Sequence, residues 1–174
     1  MTENFIKYKS WGSLKKQMEG LLCDSLKGRI SYFYTRYHKE RGSFGRAAIN
    51  LDKEELIAFS WDIERDIQWI DEYNACSETP SVNQALIHNT LLNEKWMQDG
   101  TLCHHDFLDA VTAYLNTDVS SALCSENYIL RILAYMDRRV GKRTLLKIKD
   151  DAEKLPEWAK QFYRIRCNAE SINV

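Results

Sequence analysis

Hydrophobic positions recur along this chain with two different periods, and the switch between them marks its organisation. Trp11, Leu14, Met18, Leu21 and Leu22 fall at i, i+3, i+7, i+10 and i+11, the spacing of one helical face, with Ser10 placed as an N-cap and Lys27 with Gly28 as a stop. "RISYFYTRY" then changes the texture to β-branched and aromatic residues. "KERGSFG" supplies turn residues ahead of a second run, "RAAINL", so a hairpin is expected. "LDKEELIAFS" extends it to a three-stranded antiparallel meander, with Asp52 and Lys53 at the turn and Glu55, Ile57 and Phe59 on one face. The glutamate-rich start of that run also permits a helical turn.

From about residue 61 the apolar period is helical. Ile63, Ile67 and Ile70 share one stripe, Val82, Leu86 and Trp96 follow Pro80, and Phe107, Leu108, Val111 and Leu115 follow the break at Gly100. Ser125 opens a further helix with Ile129, Ile132, Leu133, Met136 and Val140 inward, and Pro156 suits the first turn of a last one carrying Trp158, Phe162 and Ile165. The expected fold class is α+β: an N-terminal amphipathic helix, a small antiparallel three-stranded meander and a helical C-terminal half. A chain of 174 residues with 44% hydrophobic content suits a single domain over 1–174, with helix plus sheet in 1–60 and mainly helix in 61–174.

Composition narrows the class further. The longest apolar runs, such as "LIAF", fall far short of the roughly 20 residues of a membrane-spanning helix, and the start lacks the apolar core of a secretory signal. A cytoplasmic protein is expected, with no membrane partner. Cys23, Cys76, Cys103, Cys124 and Cys167 are odd in number and contain no CxxC, which favours reduced thiols over a disulfide framework or a zinc site. No GxxxxGK[ST] or GxGxxG motif is present, and no cofactor is expected. "CHHD" at 103–106 gathers a thiol, two imidazoles and a carboxylate. Neighbouring helical side chains diverge by about 100°, however, and His105 with Asp109 supplies only two same-face ligands, so no metal site is expected. Cys103 with His88 is a conceivable nucleophilic pair without flanking signature residues. No catalytic residue is assigned, and an enzyme is not expected.

Charge is distributed in blocks. Residues 1–51 carry 10 basic and 4 acidic groups, 52–126 carry 3 and 15, 127–149 carry 7 and 1, and 150–174 carry 4 and 5, giving the overall −1. Such blocks either pair with one another or face outward as separate fields. Between Asp52 and Glu72 eight acids stand against Lys53 and Arg65, with Trp61, Trp69 and Tyr73 among them. Acids interleaved with large aromatics suit a basic protein partner, because aromatic anchors carry binding energy while a complementary field speeds association. The candidate partner-binding residues are Glu54, Glu55, Trp61, Asp62, Glu64, Asp66, Trp69, Asp71 and Glu72, and a nuclease toxin is a basic protein of the required kind.

The alternative is an anion-binding surface in and around "DRRVGKR". On a helix running from Ser125, Arg131, Tyr135, Arg138 and Lys142 fall at i, i+4, i+7 and i+11 on one face, and Arg139 and Arg143 widen it, with Gly141 as a C′ residue. Guanidinium forks suit nucleic-acid phosphates and acidic protein patches alike, and for nucleic acid Tyr32, Tyr34 and Tyr37 with Arg29 and Arg36 supply stacking platforms. A pI near 6.4 counts against a nucleic-acid binder, and the same cations at a helix end need no ligand.

"SWGSLKKQMEGLLCDSLKGRISY" and "ILRILAYMDRRVGKRTLLKIKDDAEKL" resemble the two ends of a group of small bacterial proteins described only as conserved hypothetical proteins. The resemblance rests on Trp11, Leu14, Lys15 and Lys16; on Leu26, Gly28 and Arg29; and on Asp137, Arg138, Arg139, Gly141, Lys142 and Arg143, with Met136 where the pattern usually has Leu. It covers roughly the first 60 and last 70 residues and carries over no catalytic residue. It implies a bacterial cytoplasmic protein. Small proteins of this type also serve as immunity proteins of contact-dependent toxin systems, an analogy of kind rather than of motif.

Overall fold

The computed structural model describes residues 10–39, 42–60 and 94–173. Helix α1 (Trp11–Leu21) precedes strands β1 (Ile30–Lys39), β2 (Gly42–Leu51) and β3 (Glu54–Ser60). After a helical turn at 94–99 come α2 (His104–Tyr114), α3 (Val119–Leu123), α4 (Tyr128–Met136), α5 (Lys142–Lys147), α6 (Lys149–Glu153) and α7 (Glu157–Ala169). The fold is α+β, as expected. No helix among the described residues is long and apolar enough to cross a membrane.

The sheet is an antiparallel meander in the order β1-β2-β3. Its β2–β3 turn has Asp52 at φ 51° and Lys53 at φ 75°, the left-handed pair that a type I′ hairpin requires. Arg29 clamps that turn from the start of β1, its Nε and Nη2 donating to the two Asp52 carboxylate oxygens at 3.0 and 2.6 Å. The preceding Gly28, at φ 79°, supplies a left-handed backbone that a side chain would strain. The first hairpin is tighter than expected. "GSFG" is strand rather than turn, with Lys39 opposite Gly42 and Arg36 opposite Gly45.

Period-2 alternation puts Tyr32 opposite Ile49 and Ile57, and Tyr34 opposite Ala47 and Phe59, on the inner face. On that face Leu14 and Met18 of α1 and Phe107, Ala110, Val111 and Tyr114 of α2 are buried. Aromatic rings make the seam: Phe59 stacks on Phe107 with centroids 4.9 Å apart, and Trp11 tilts against Tyr34 at 5.3 Å. Among the described helices α4 is the most buried, with Ile129, Ile132, Leu133, Ala134, Tyr135 and Met136 all inside. Asn127 rather than Ser125 is its N-cap, accepting from the Ile129 amide at 2.9 Å, while Ser125 accepts from the Asn127 amide at 3.1 Å. On its far side α7 packs Ala159, Phe162, Tyr163 and Cys167, with Tyr163 edge-on to Tyr135 at 5.6 Å.

The expected continuation of α4 through Val140 does not occur. The helix stops at Met136, and Asp137 forms an isolated antiparallel bridge with Leu22, so that Cys23 donates to Met136 (2.9 Å) and Arg138 to Leu21 (2.8 Å). Val140 is buried, but from a turn. Gly141 is consequently not a C′ residue. It is the N-cap of α5.

Candidate functional site

The 137–143 segment is built around a buried carboxylate. Asp137 is 1% exposed and accepts from Tyr114 Oη at 2.6 Å, from the Arg139 amide at 2.7 Å, and from Arg139 Nε and Nη2 at 3.0 and 2.7 Å. Burial pushes its pKa up, but the guanidinium, the phenol and the amide together more than offset this and hold it below the usual carboxylate value. The same arrangement raises Tyr114, through burial first and then the carboxylate it donates to.

Around this node the remaining cations take separate posts. Arg131 donates through Nε to the Ser125 carbonyl. Lys142 Nζ donates to the Glu170 carbonyl at 2.8 Å and lies 3.7 Å from its carboxylate. Arg138 and Arg143 are exposed, and their side chains make no hydrogen bond or ion pair among the described residues. The five cations therefore do not share one helical face, because the helix that would have aligned them ends at Met136. Tyr135, expected among them, is buried instead, and burial pushes its phenol up to about 12.

A cation that sequence reasoning missed completes the joint. Arg166 is 3% exposed on the inward stripe of α7, donates through Nη2 to the Val140 carbonyl at 2.8 Å and lies 3.3 Å from Glu170. Glu170 also accepts from Ser25 Oγ at 3.1 Å, which ties the α1–β1 connection to the same cluster. The signal was present in the spacing, since Arg166 stands at i+4 from Phe162 and i+3 from Tyr163 on an otherwise apolar face.

Of the acidic, tryptophan-bearing stretch, Glu54 and Glu55 lie on β3, both exposed. Glu55 pairs with Arg46 across the strands, and Asp52 is held by Arg29. Glu54 makes no ion pair among the described residues. Trp61, Asp62, Glu64, Asp66, Trp69, Asp71 and Glu72 lie outside the described residues, as does His88.

"CHHD" becomes a helix start. Cys103 is the N-cap of α2, and Asp106 at N3 accepts from its amide at 2.7 Å. His104 is fully buried, its ring against Gly45 of β2, and neither ring nitrogen has a hydrogen-bond partner among the described residues. Among the described residues no group of three or more His, Cys, Asp and Glu is placed to hold a metal ion. Tyr32, proposed as a stacking platform, is buried in the core, and Tyr34 is half-buried on the same inner face.

The model of the SF0329 protein family matches residues 10–167. No curated protein and no solved structure matches the chain.

Proposed function

The chain belongs to the SF0329 protein family, and from that premise we propose that it is a non-enzymatic, cytoplasmic protein-binding module: an immunity protein that neutralises a basic bacterial toxin domain, most concretely a nuclease, through the acidic stretch Asp52–Glu72. The family description carries no activity, so the reading rests on charge and packing. The observation that supports it is how the basic junction is engaged. Arg139 is committed to Asp137 and Lys142 to Glu170, neither of which belongs to the acidic stretch. Acids there that have partners among the described residues draw on the N-terminal block, Asp52 on Arg29 and Glu55 on Arg46. By sequence, 52–72 carries eight acids against two bases with two tryptophans among them, and so a net negative field. Such a field accelerates encounter with a cationic domain, and indole rings give the complex lasting contacts.

The experiment is neutralisation. A basic nuclease toxin domain encoded beside this chain's gene is expressed with and without the chain, and growth is followed alongside calorimetric titration of the two purified proteins. Survival with the chain and a salt-weakened complex are expected, with Trp61→Ala/Trp69→Ala and Glu54→Gln/Glu55→Gln each weakening binding. Absence of both protection and a complex at low salt overturns the proposal. Binding of single-stranded RNA that weakens in Arg138→Ala/Arg143→Ala, with no toxin binding, replaces it with the nucleic-acid alternative.

A further inference from the structure

The first turn of α2 carries a side chain that the fold buries without satisfying. His104 is 0% exposed, and among the described residues neither Nδ1 nor Nε2 has a hydrogen-bond partner. Its ring lies so close to β2 that a Cβ added at Gly45 would stand 2.4 Å from the imidazole Cδ2, so glycine is what lets helix and strand close on it. From β1, Tyr34 faces the ring at 6.0 Å between centroids, its buried hydroxyl also unpartnered, and Arg36 adds a positive charge. From α2 itself, the His105 ring lies 4.0 Å away, and Asp106 is engaged with the Cys103 amide. Among the described residues Cys103 and Asp109 also act on Tyr34.

We propose that His104 is an acid-operated latch: as a neutral ring it closes the joint between the N-terminus of α2 and β2 at Gly45, and on protonation it leaves that joint and loosens the start of the helix. Among the described residues an imidazolium there would have no acceptor in hydrogen-bond contact with either N–H, and it would sit at the positive end of a helix dipole, beside Arg36 and a second imidazole. Burial first, then His105 and Arg36, keep the ring's proton affinity below its ordinary level, against the opposing pull of Asp106. The released ring regains water and its usual affinity. Acid therefore favours the open joint.

The size of the effect follows from linkage. If the closed ring takes no proton and the open ring titrates near 6.5, the opening equilibrium grows by roughly 25-fold between about pH 7 and about pH 5. Amide hydrogen exchange, expressed as protection factors to remove the intrinsic pH dependence, reads this directly on peptides covering 104–114 and 45–49. The wild type is expected to lose protection by that factor at the start of α2 while α7 keeps its own, and His104→Leu is expected to show no such loss. Equal wild-type protection at both pH values overturns the proposal, as does the same acid-induced loss in His104→Leu. If that variant does not fold, the imidazole C–H resonance of wild-type His104 decides. A midpoint well below 6.5 that coincides with loss of protection in α2 supports the latch, and a midpoint at or above 6.5 with α2 still protected removes it.

Discussion

Replacing Asp137 by Ala tests whether the carboxylate organises the joint between α1, α4 and α5. The side chain accepts from Tyr114, from the Arg139 amide and from the Arg139 guanidinium. These losses are unequal. The guanidinium is 42% exposed and keeps water after truncation, so the penalty for stranding a buried charge, about 3 to 5 kcal/mol, does not apply in full. Tyr114 is different. Its hydroxyl is inside the core, and its other neighbour, Arg139 Nη2 at 3.4 Å, only donates, so the phenolic proton is left without an acceptor at about 1 to 3 kcal/mol. With roughly 1 kcal/mol for the screened charged bonds, Asp137→Ala is expected to lose about 3 kcal/mol.

Tyr114→Phe removes the donor while leaving Asp137 on Arg139, and is expected to lose only about 1 kcal/mol. In the double variant no hydroxyl remains to be stranded, so the two losses fall short of additivity by about 1 kcal/mol or more. Urea unfolding followed by tryptophan fluorescence, with an unchanged denaturant dependence, gives all three values. Because the folded pKa of Asp137 lies below its unfolded value, its contribution is present above the unfolded value and is lost as pH falls through the folded one. Asp137→Asn should therefore flatten the acid limb of the stability curve below about pH 4. An Asp137→Ala loss under about 0.5 kcal/mol, or strict additivity in the double variant, refutes the central role of the carboxylate.

Gly45→Ala drives a methyl group into a fully buried imidazole at 2.4 Å and is expected to destabilise by about 2 to 3 kcal/mol, with His104→Ala in the same chain relieving part of the loss in urea unfolding. Arg166→Met keeps the buried stem but leaves the Val140 carbonyl and Glu170 without their guanidinium partner, for an expected loss of about 2 kcal/mol by thermal unfolding. Arg138→Ala with Arg143→Ala should leave the unfolding free energy within about 0.5 kcal/mol, and a loss above 1 kcal/mol would show that these exposed side chains serve the fold after all.

The elements were legible where a single period ran unbroken. Leu14 and Met18 on α1, the Asp52–Lys53 turn and the Phe107–Val111 stripe were all readable, since burial on one face dictates the spacing. The α4 boundary was misread for a physical reason. Val140 stands four residues after Met136 and is buried, so the apolar period continues across a point where the backbone has left the helix to pair with Leu22. Leu22, the residue that captures Asp137 in this isolated bridge, lies far earlier in the chain, and no local pattern announces it. Apolar periodicity also hides polar residues on the same stripe: His104 is three residues before Phe107, and Arg166 is four after Phe162. The extension of β2 through Gly45 was missed because glycine there reads as a turn, whereas it makes room for the ring from α2.

These corrections change what the charge blocks mean. A run such as "DRRVGKR" reads as four cations and one acid, yet the acid is the buried member and holds Arg139. Asp137 holds Arg139, and Glu170 holds Lys142 and Arg166, so these three cations face carboxylates within the C-terminal third of the chain. Coulombic attraction between exposed groups fades beyond about 8 Å at physiological salt, so cations engaged there contribute to neutralising Asp52–Glu72 only if the chain brings that stretch against them. Its two described ion pairs run instead to Arg29, just before β1, and to Arg46 on β2. Asp52 and Glu55 thus draw on the N-terminal basic block and not on the 137–143 junction.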